Sequence, residues 1–461
     1  MDTLNTTVIS KDSIAAPVAQ NERISILDSL RGIAILGILL MNIPSFGLPG
    51  VSGDPSVLNE TGINYYTWYV VSLIPDGTQR ALFSMLFGAG IILFIQSQQK
   101  KVTGLQPADY FFRRQLWLMV FSLFDVFLLL WSGDILLDYA CLGMMMFTFR
   151  NLSAKKLLIA AGICMLLMTA RENRDNYLDK KIISKGEAIA ALDTTIRPLS
   201  AEQQEALITM NNFKQRFTPE KKIERMKTTL RKIGGTSYEQ LYEYRTSRYT
   251  SQLVTYLYYS LWDVLEFMFL GMAFFKLGIL TGQAKSKVYW WMCLIGLSVG
   301  ILLSYFSIHS FVLSGYNRFE YMRNTVFETY NLNRTFRALG IFGGIMLLYK
   351  SGVFKWFFAM MRPAGQMAFT NYLMQSLLCG LYFSGVGFGM MGKLERHEIY
   401  YVVGIVWLLQ IIYSHIWLHY FRFGPFEWAW RSLTYWRLQP FRKEKSGLDK
   451  VSLADKLNAT V

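Results

Sequence analysis

Long apolar runs separated by short polar connections recur along most of the chain. Runs of spanning length begin near Leu30 (LRGIAILGILLMNIPSFGL), Arg80, Leu116, Ile135 and Leu157, and, after a polar block, near Leu253, Tyr289, Phe336, Ala364 and Ile399. Each approaches the roughly 20 residues that carry a helix across a hydrocarbon core about 30 Å thick. The pattern predicts an all-α protein: a polytopic transmembrane bundle of about ten spans. ILLDYACLGMMMFTF, from Ile135, is near the short limit and suits a tilted or partly buried helix. INYYTWYVVSLIP (63–75) is shorter still, and its aromatic residues suit a helix lying at the outer interface.

The block from 171 to 250 breaks the pattern. It holds 16 basic and 11 acidic residues, and KIISKGEAIAALD, ALITMNNFKQRF and KKIERMKTTLRKI read as amphipathic helices, with turn signals at Arg197-Pro198 and Gly234-Gly235. The chain therefore divides into an N-terminal tail (1–27), a first membrane half (28–170), a helical extracytoplasmic cap (171–250), a second membrane half (251–421) and an amphipathic, basic C-terminal segment (422–461).

Composition sharpens this reading. Hydrophobic residues make up 52% of the 461 and charged residues 17%, and with the 171–250 block set aside the remainder is too apolar for a water-soluble fold. A soluble enzyme, a nucleic-acid-binding protein and a disordered chain are excluded. The formal charge of +15 reports orientation instead. With the N-terminus inside, Lys100, Lys101, Arg113 and Arg114, then Arg150, Lys155 and Lys156, then Lys285 and Lys287, then Lys350 and Lys355, and finally Arg422, Arg431, Arg437, Arg442, Lys443 and Lys445 all fall on the cytoplasmic side. Both termini are predicted to be cytoplasmic. A long loop crosses largely regardless of charge, so the cap can lie outside. The first 22 residues are polar, which predicts no cleavable signal. Cys141, Cys164, Cys293 and Cys379 sit in apolar runs without paired spacing and read as packing residues.

The first span offers the most chemistry. Asp28 and Arg31 stand one turn apart at its inner end, and Asn42 near its outer end is about 20° from Arg31 in azimuth and roughly 16 Å along the axis. One helix face can thus present a cation inside and an amide outside. Alternatively, Asp28 and Arg31 pair at the headgroup level and Asn42 bonds a neighbouring helix. Asp134, at the outer end of its connection, is a candidate base or acceptor anchor, or an acid capping the following helix. Asp125, Asp263 and Glu266 lie within apolar runs, where carboxylates need a partner such as Arg80 or Arg334, or else mark a polar path or proton relay. Thr370, Asn371 and Gln375 share a helix neighbourhood and read as interhelical glue or path residues. Glu427 and Arg431 are spaced as a helical ion pair among tryptophans. His415 and His419 lack an acidic or thiolate companion, His309 and His397 fall in outer loops, and no metal site is read.

RISILDSLRGIAILGILLMNIPSFGLP, LFSMLFGAG, GDILLDYACLG, GQMAFTNYLMQS and FGPFEWAWRSLTYW occur in an order that closely resembles the YeiB-like family of bacterial inner-membrane proteins. The resemblance spans nearly the whole chain outside 171–250 and implies a multi-pass inner-membrane location. The N-terminal motif is also similar to that of heparan-alpha-glucosaminide N-acetyltransferase, which takes acetyl from cytosolic acetyl-CoA and delivers it to a sugar amine across the membrane. That likeness implies a catalytic role for Asn42 and, with Asp134, an acyl transfer from acyl-CoA to an extracytoplasmic glycan or small-molecule acceptor. Asp28, Arg31, Arg113 and Arg114 would then serve the CoA. The enzyme carries a catalytic His shortly beyond its Asn, where this chain reads SFGLPGVSGDPS; the position that commonly holds a His in YeiB-like members is Val126. The alternative is a proton- or cation-coupled transporter using Asp125, Asp263 and Glu266. Membrane lipid is the expected surrounding partner, and a homodimer is compatible with either reading.

Overall fold

The computed structural model describes residues 24–50, 54–192, 198–235 and 237–443, and every regular element among them is helical. The polar N-terminal tail and the end of the basic C-terminal segment predicted above, at 1–23 and 444–461, together with Arg197, lie outside these residues. Helix α1 (Ser25–Gly47) is followed by the short α2 (Gly62–Leu73), then α3 (Thr78–Gln99), α4 (Gln106–Phe127) and the 11-residue α5 (Leu136–Met146). Five helical stretches are long and apolar enough to cross a membrane: Ser25–Gly47, Gly62–Gln99, Tyr238–Lys276, Ser286–Leu313 and Arg396–Tyr420. The chain is a membrane protein. The remaining apolar runs fall on helices that are shorter or that carry charges along the same length, such as α4 with Arg113, Arg114 and Asp125.

Polar sequence between 171 and 250 does form helices. α6 (Ala154–Ala190) has 37 residues and α9 (Tyr238–Lys276) has 39, enough for more than 50 Å each, so both run from the apolar bundle into the cap as single rods. Between them stand α7 (Ala201–Gln215), opened by a capping box at Ser200, and α8 (Pro219–Thr229), which runs into a π-turn ending at Gly234. After α10 (Ser286–Leu313), the short α11 (Arg318–Asn324) adds Phe319, Tyr321 and Met322 to a second apolar cluster with Ile183 and Met210. The cap is thus stapled by the C-terminal half of the chain as well as by its own block. Lys222 of α8 adds a 2.6 Å ion pair to Asp54.

The main core is continuous from α1 to the last helices, α12 (Tyr330–Ser351), α13 (Lys355–Gln366), α14 (Ala368–Phe383), α15 (Arg396–Tyr420) and α16 (Pro425–Tyr435). Close crossings at glycine hold it together. A Cβ on Gly365 of α13 would lie 1.7 Å from the Asp28 carbonyl oxygen, and one on Gly32 2.1 Å from that of Met361, so α1 and α13 touch backbone to backbone. All four cysteines are free thiols.

Candidate functional site

Two cavities lie at opposite ends of α1 and α3. The cap-side cavity, about 1160 Å³, is lined by Asn42, Asp134, Asp138, Asp263, Arg80 and Arg334 among others, and is roofed by residues of α6, α9 and α11. The far-side cavity, about 380 Å³, is lined by Asp28, Arg31, Lys100, Arg114, Trp430 and Arg431 at its mouth and by Tyr139 and Tyr372 at its depth. Ile135 lines both.

The partition between them is built from the connection before α5. Asp134 accepts the backbone N–H groups of Leu136 and Leu137 at 3.1 and 3.2 Å on Oδ2, which caps α5 and fixes the carboxylate. Ser122 of α4 donates to the same oxygen. Tyr372 of α14 donates its phenolic O–H to Oδ1 at 3.1 Å and accepts the Ile135 N–H at 3.2 Å. One carboxylate, facing the cap-side cavity, is therefore tied to a phenol facing the other. Asp125 is fully buried behind it, against Asp134 and Ser376.

Along the cap-side wall the charges are organised in a chain. Arg334 reaches Asp263 at 2.6 Å, Arg80 reaches Asp263 and Asp138 at 3.4 Å each, and the side chains of Arg334 and Asp263 are only 6% exposed. Arg337, 1% exposed, donates to the carbonyls of Ser72, Leu73 and Ile74 at the end of α2, where a cation suits the helix dipole. Glu266 lies one turn beyond Asp263 but faces Thr335, whose Oγ1 donates to it at 2.8 Å, and it lines neither cavity.

At the far-side mouth, Arg31 pairs with Asp28 at 3.0 Å, and Gln366 holds the second Asp28 oxygen at 3.2 Å. Arg114 lies flat on Trp430, 3.7 Å from the ring centroid, while the Trp430 indole donates to the Arg114 carbonyl at 2.8 Å. Arg31 and Arg431 are both electrostatic neighbours of Arg114, a concentration of guanidinium charge suited to phosphate.

The sequence-predicted residues thus separate. Arg31, Asp28 and Arg114 share the far-side cavity; Asn42, Asp134 and Asp263 share the other. Arg31 and Asn42 share a face of α1 but line different cavities with the partition between them. Arg113 turns the other way, pairing with Asp109 at 2.5 Å and facing Trp436. Asn371 lies outside both cavities: it donates to the Ala364 carbonyl and to Ser414 at 3.0 and 3.1 Å, packing α14 against its neighbours. Glu427 does not follow the helical pairing with Arg431 predicted from spacing. It accepts the Phe369 and Thr370 N–H groups at 2.8 and 3.0 Å and so caps the start of α14. Tyr372, Tyr139 and Asp138 went unnoticed in the sequence. Asp138 had a signal, since it stands four residues after Asp134; Tyr372 had none beyond its motif.

Residues 274–437 match a family model described as Protein of unknown function (DUF418). Uncharacterized protein YeiB of Escherichia coli (strain K12) is 29% identical over 420 residues, covering 90% of this chain and 96% of its own. The chain is similar to YeiB along most of its length. Uncharacterized protein YxaH of Bacillus subtilis (strain 168) is 28% identical over 458 residues, 93% of this chain and 98% of its own. A third relative, the uncharacterized 39.9 kDa protein in the amylase 3′ region of Bacillus acidopullulyticus, is 25% identical over 429 residues. These names state no activity. No solved structure matches this chain significantly.

Proposed function

We propose that this YeiB-like protein is a transmembrane acyltransferase that takes an acyl group from cytosolic acyl-CoA through the far-side cavity and passes it to a hydroxyl or amine in the cap-side cavity. The observation that carries this reading is the shared partition: a carboxylate on one side hydrogen-bonded to a phenol on the other, with Ile135 exposed to both. Arg31, Arg114 and Arg431 attract the CoA phosphates at the mouth. The thioester arm then extends past Tyr139 toward Tyr372.

In the transfer, Asp134 takes the proton of the acceptor O–H or N–H as the acceptor atom bonds to the thioester carbonyl carbon. Negative charge gathers on the carbonyl oxygen, where the Tyr372 O–H and the Asn42 amide are the available donors. The C–S bond breaks, the thiolate takes a proton from the Tyr372 hydroxyl, which is restored by the proton on Asp134, and the free thiol leaves through the far side. Movement of the Ile135 side chain opens the partition for this step. Both cavities lack a histidine among their lining residues, which leaves the base role to a carboxylate. The coupled-transport alternative draws less support, because Asp263 is neutralised by two guanidinium groups while Asp125 and Glu266 line neither cavity.

Acetyl-CoA added to the purified protein is expected to raise its Tm, with the rise lost in Arg31→Ala and Arg114→Ala and kept in Asp134→Asn. Absence of any CoA effect, together with pH-dependent solute uptake lost in Asp263→Asn, would overturn the reading.

A further inference from the structure

The guanidinium groups around the cap-side cavity are not all accounted for by its carboxylates. Arg80 and Arg334 share Asp138 and Asp263, and Arg337 is spent on carbonyls and Asn333. Arg245 and Arg248, three residues apart on α9, are different. Arg245 donates to Ser132 Oγ at 3.2 Å and Arg248 to the Tyr244 hydroxyl at 3.4 Å, and neither has an ion-pair partner among the described residues. The Nε of Arg245 is enclosed and without a hydrogen-bond partner. Two adjacent like charges on one helix face repel unless something anionic lies between or above them.

Their position ties them to the partition. Ser132 is two residues from Asp134 on the same connection, and Tyr249, one turn along α9 from Arg245, is an electrostatic neighbour of Asp134. An anion held by the arginines would sit in the same cavity as the carboxylate, beside the connection that carries it. A phosphate group carries close to two charges and three acceptor oxygens, and so matches two forked guanidinium groups and a hydroxyl better than a carboxylate does. The cavity, about 1160 Å³, has room for a sugar-sized body attached to it.

We infer that Arg245, Arg248 and Ser132 form a seat for the phosphate of a phosphorylated polyol or glycan acceptor, holding its free hydroxyl or amine beside Asp134. This rests on the cap-side cavity being the acceptor chamber.

The test is calorimetric titration of the full chain in nanodiscs of zwitterionic lipid, without acyl donor, using glycerol 1-phosphate and glycerol as probes. Saturable binding of the phosphate ester and none of glycerol is expected. Arg245→Gln should weaken it about 10- to 100-fold, Arg248→Gln less, and the exposed Arg174→Gln not at all. Equal binding of both probes, or unchanged binding in Arg245→Gln, overturns the proposal. Repeating the titration in nanodiscs containing phosphatidylglycerol separates the sources: competition marks a lipid headgroup as the natural occupant, and no competition marks a soluble one. Should Arg245→Gln fail to fold, phenylglyoxal labelling of Arg245 in the unaltered protein should be blocked by glycerol 1-phosphate, and lack of protection overturns the seat. The titration contains no donor and so does not depend on acyl transfer; absence of transfer in a separate assay with acetyl-CoA, with phosphate binding intact, would reject the enzyme reading alone.

Discussion

Tyr372 donates its phenolic hydrogen to Asp134 at 3.1 Å although the two side chains line different cavities, at opposite ends of α1 and α3. In the proposed transfer this one hydrogen bond would supply both a base and an oxyanion donor, and the acceptor's arrival would break it. Asp134→Asn keeps an acceptor oxygen for the α5 amides but cannot take a proton, so transfer should fall by about 10²- to 10⁴-fold. Tyr372→Phe should cost less, about tenfold to a hundredfold, and leave acetyl-CoA binding in place. Radiolabelled acetyl transfer and CoA-dependent Tm shifts, measured on the same preparations, separate the two effects; equal loss of CoA binding in both variants would count against this division of roles.

Much of the fold was legible because burial writes itself into helical apolar runs: α1, α9, α10 and α15 follow the hydropathy directly. The partners of Asp263 were legible too, since a carboxylate within an apolar run demands a cation and Arg80 and Arg334 were among the few available. What stayed hidden concerns which face meets which neighbour. Arg113 and Arg114 are 100° apart on one helix, so one stacks on Trp430 over a cavity and the other faces Trp436 and Asp109. Glu427 has a helical partner by spacing but takes the amides of α14, because the free N–H groups of a buried helix start must be satisfied. Neither choice is encoded in the periodicity of a single helix.

The glycine crossings give a sharp contrast within one substitution type. Gly365→Ala would force α13 away from α1 at the Asp28 carbonyl and should destabilise by about 1–3 kcal/mol. Gly162→Ala in α6 meets nothing within 4 Å and should be neutral or stabilising by up to about 1 kcal/mol. Thermal midpoints by fluorescence-detected size exclusion would show the difference; similar midpoints would refute the close crossing.

Asp263 neutralises two arginines at once, at 2.6 and 3.4 Å. Asp263→Asn leaves Arg334 without its carboxylate and Arg80 with Asp138 alone in a largely buried wall, and should cost roughly 3–5 kcal/mol, visible as lost monodisperse yield. The Asp263→Leu, Arg334→Leu double variant should be less damaged than the sum of its single changes, because it removes a charge together with its partner. Additive losses would show that the pair is not coupled.

Glu172, in the cap half of α6, is pushed up from 4.5 to about 7, first by burial and then by the neighbouring Glu328, against the opposing effect of the Asn331 N–H. A carboxyl whose pKa is raised on folding is held protonated in the folded protein while the unfolded chain has already ionised. Its contribution therefore favours folding at low pH and is lost as pH rises from about 4.5 through 7. Glu172→Gln keeps an oxygen for the Asn331 N–H and removes the titration. The variant and the parent should have nearly equal Tm values at pH 5, and the variant should gain progressively up to pH 8, by on the order of 2 kcal/mol. A difference that is constant with pH would mean that Glu172 ionises freely in the folded protein, and that the cap-side cavity is wetter around α6 than its packing implies.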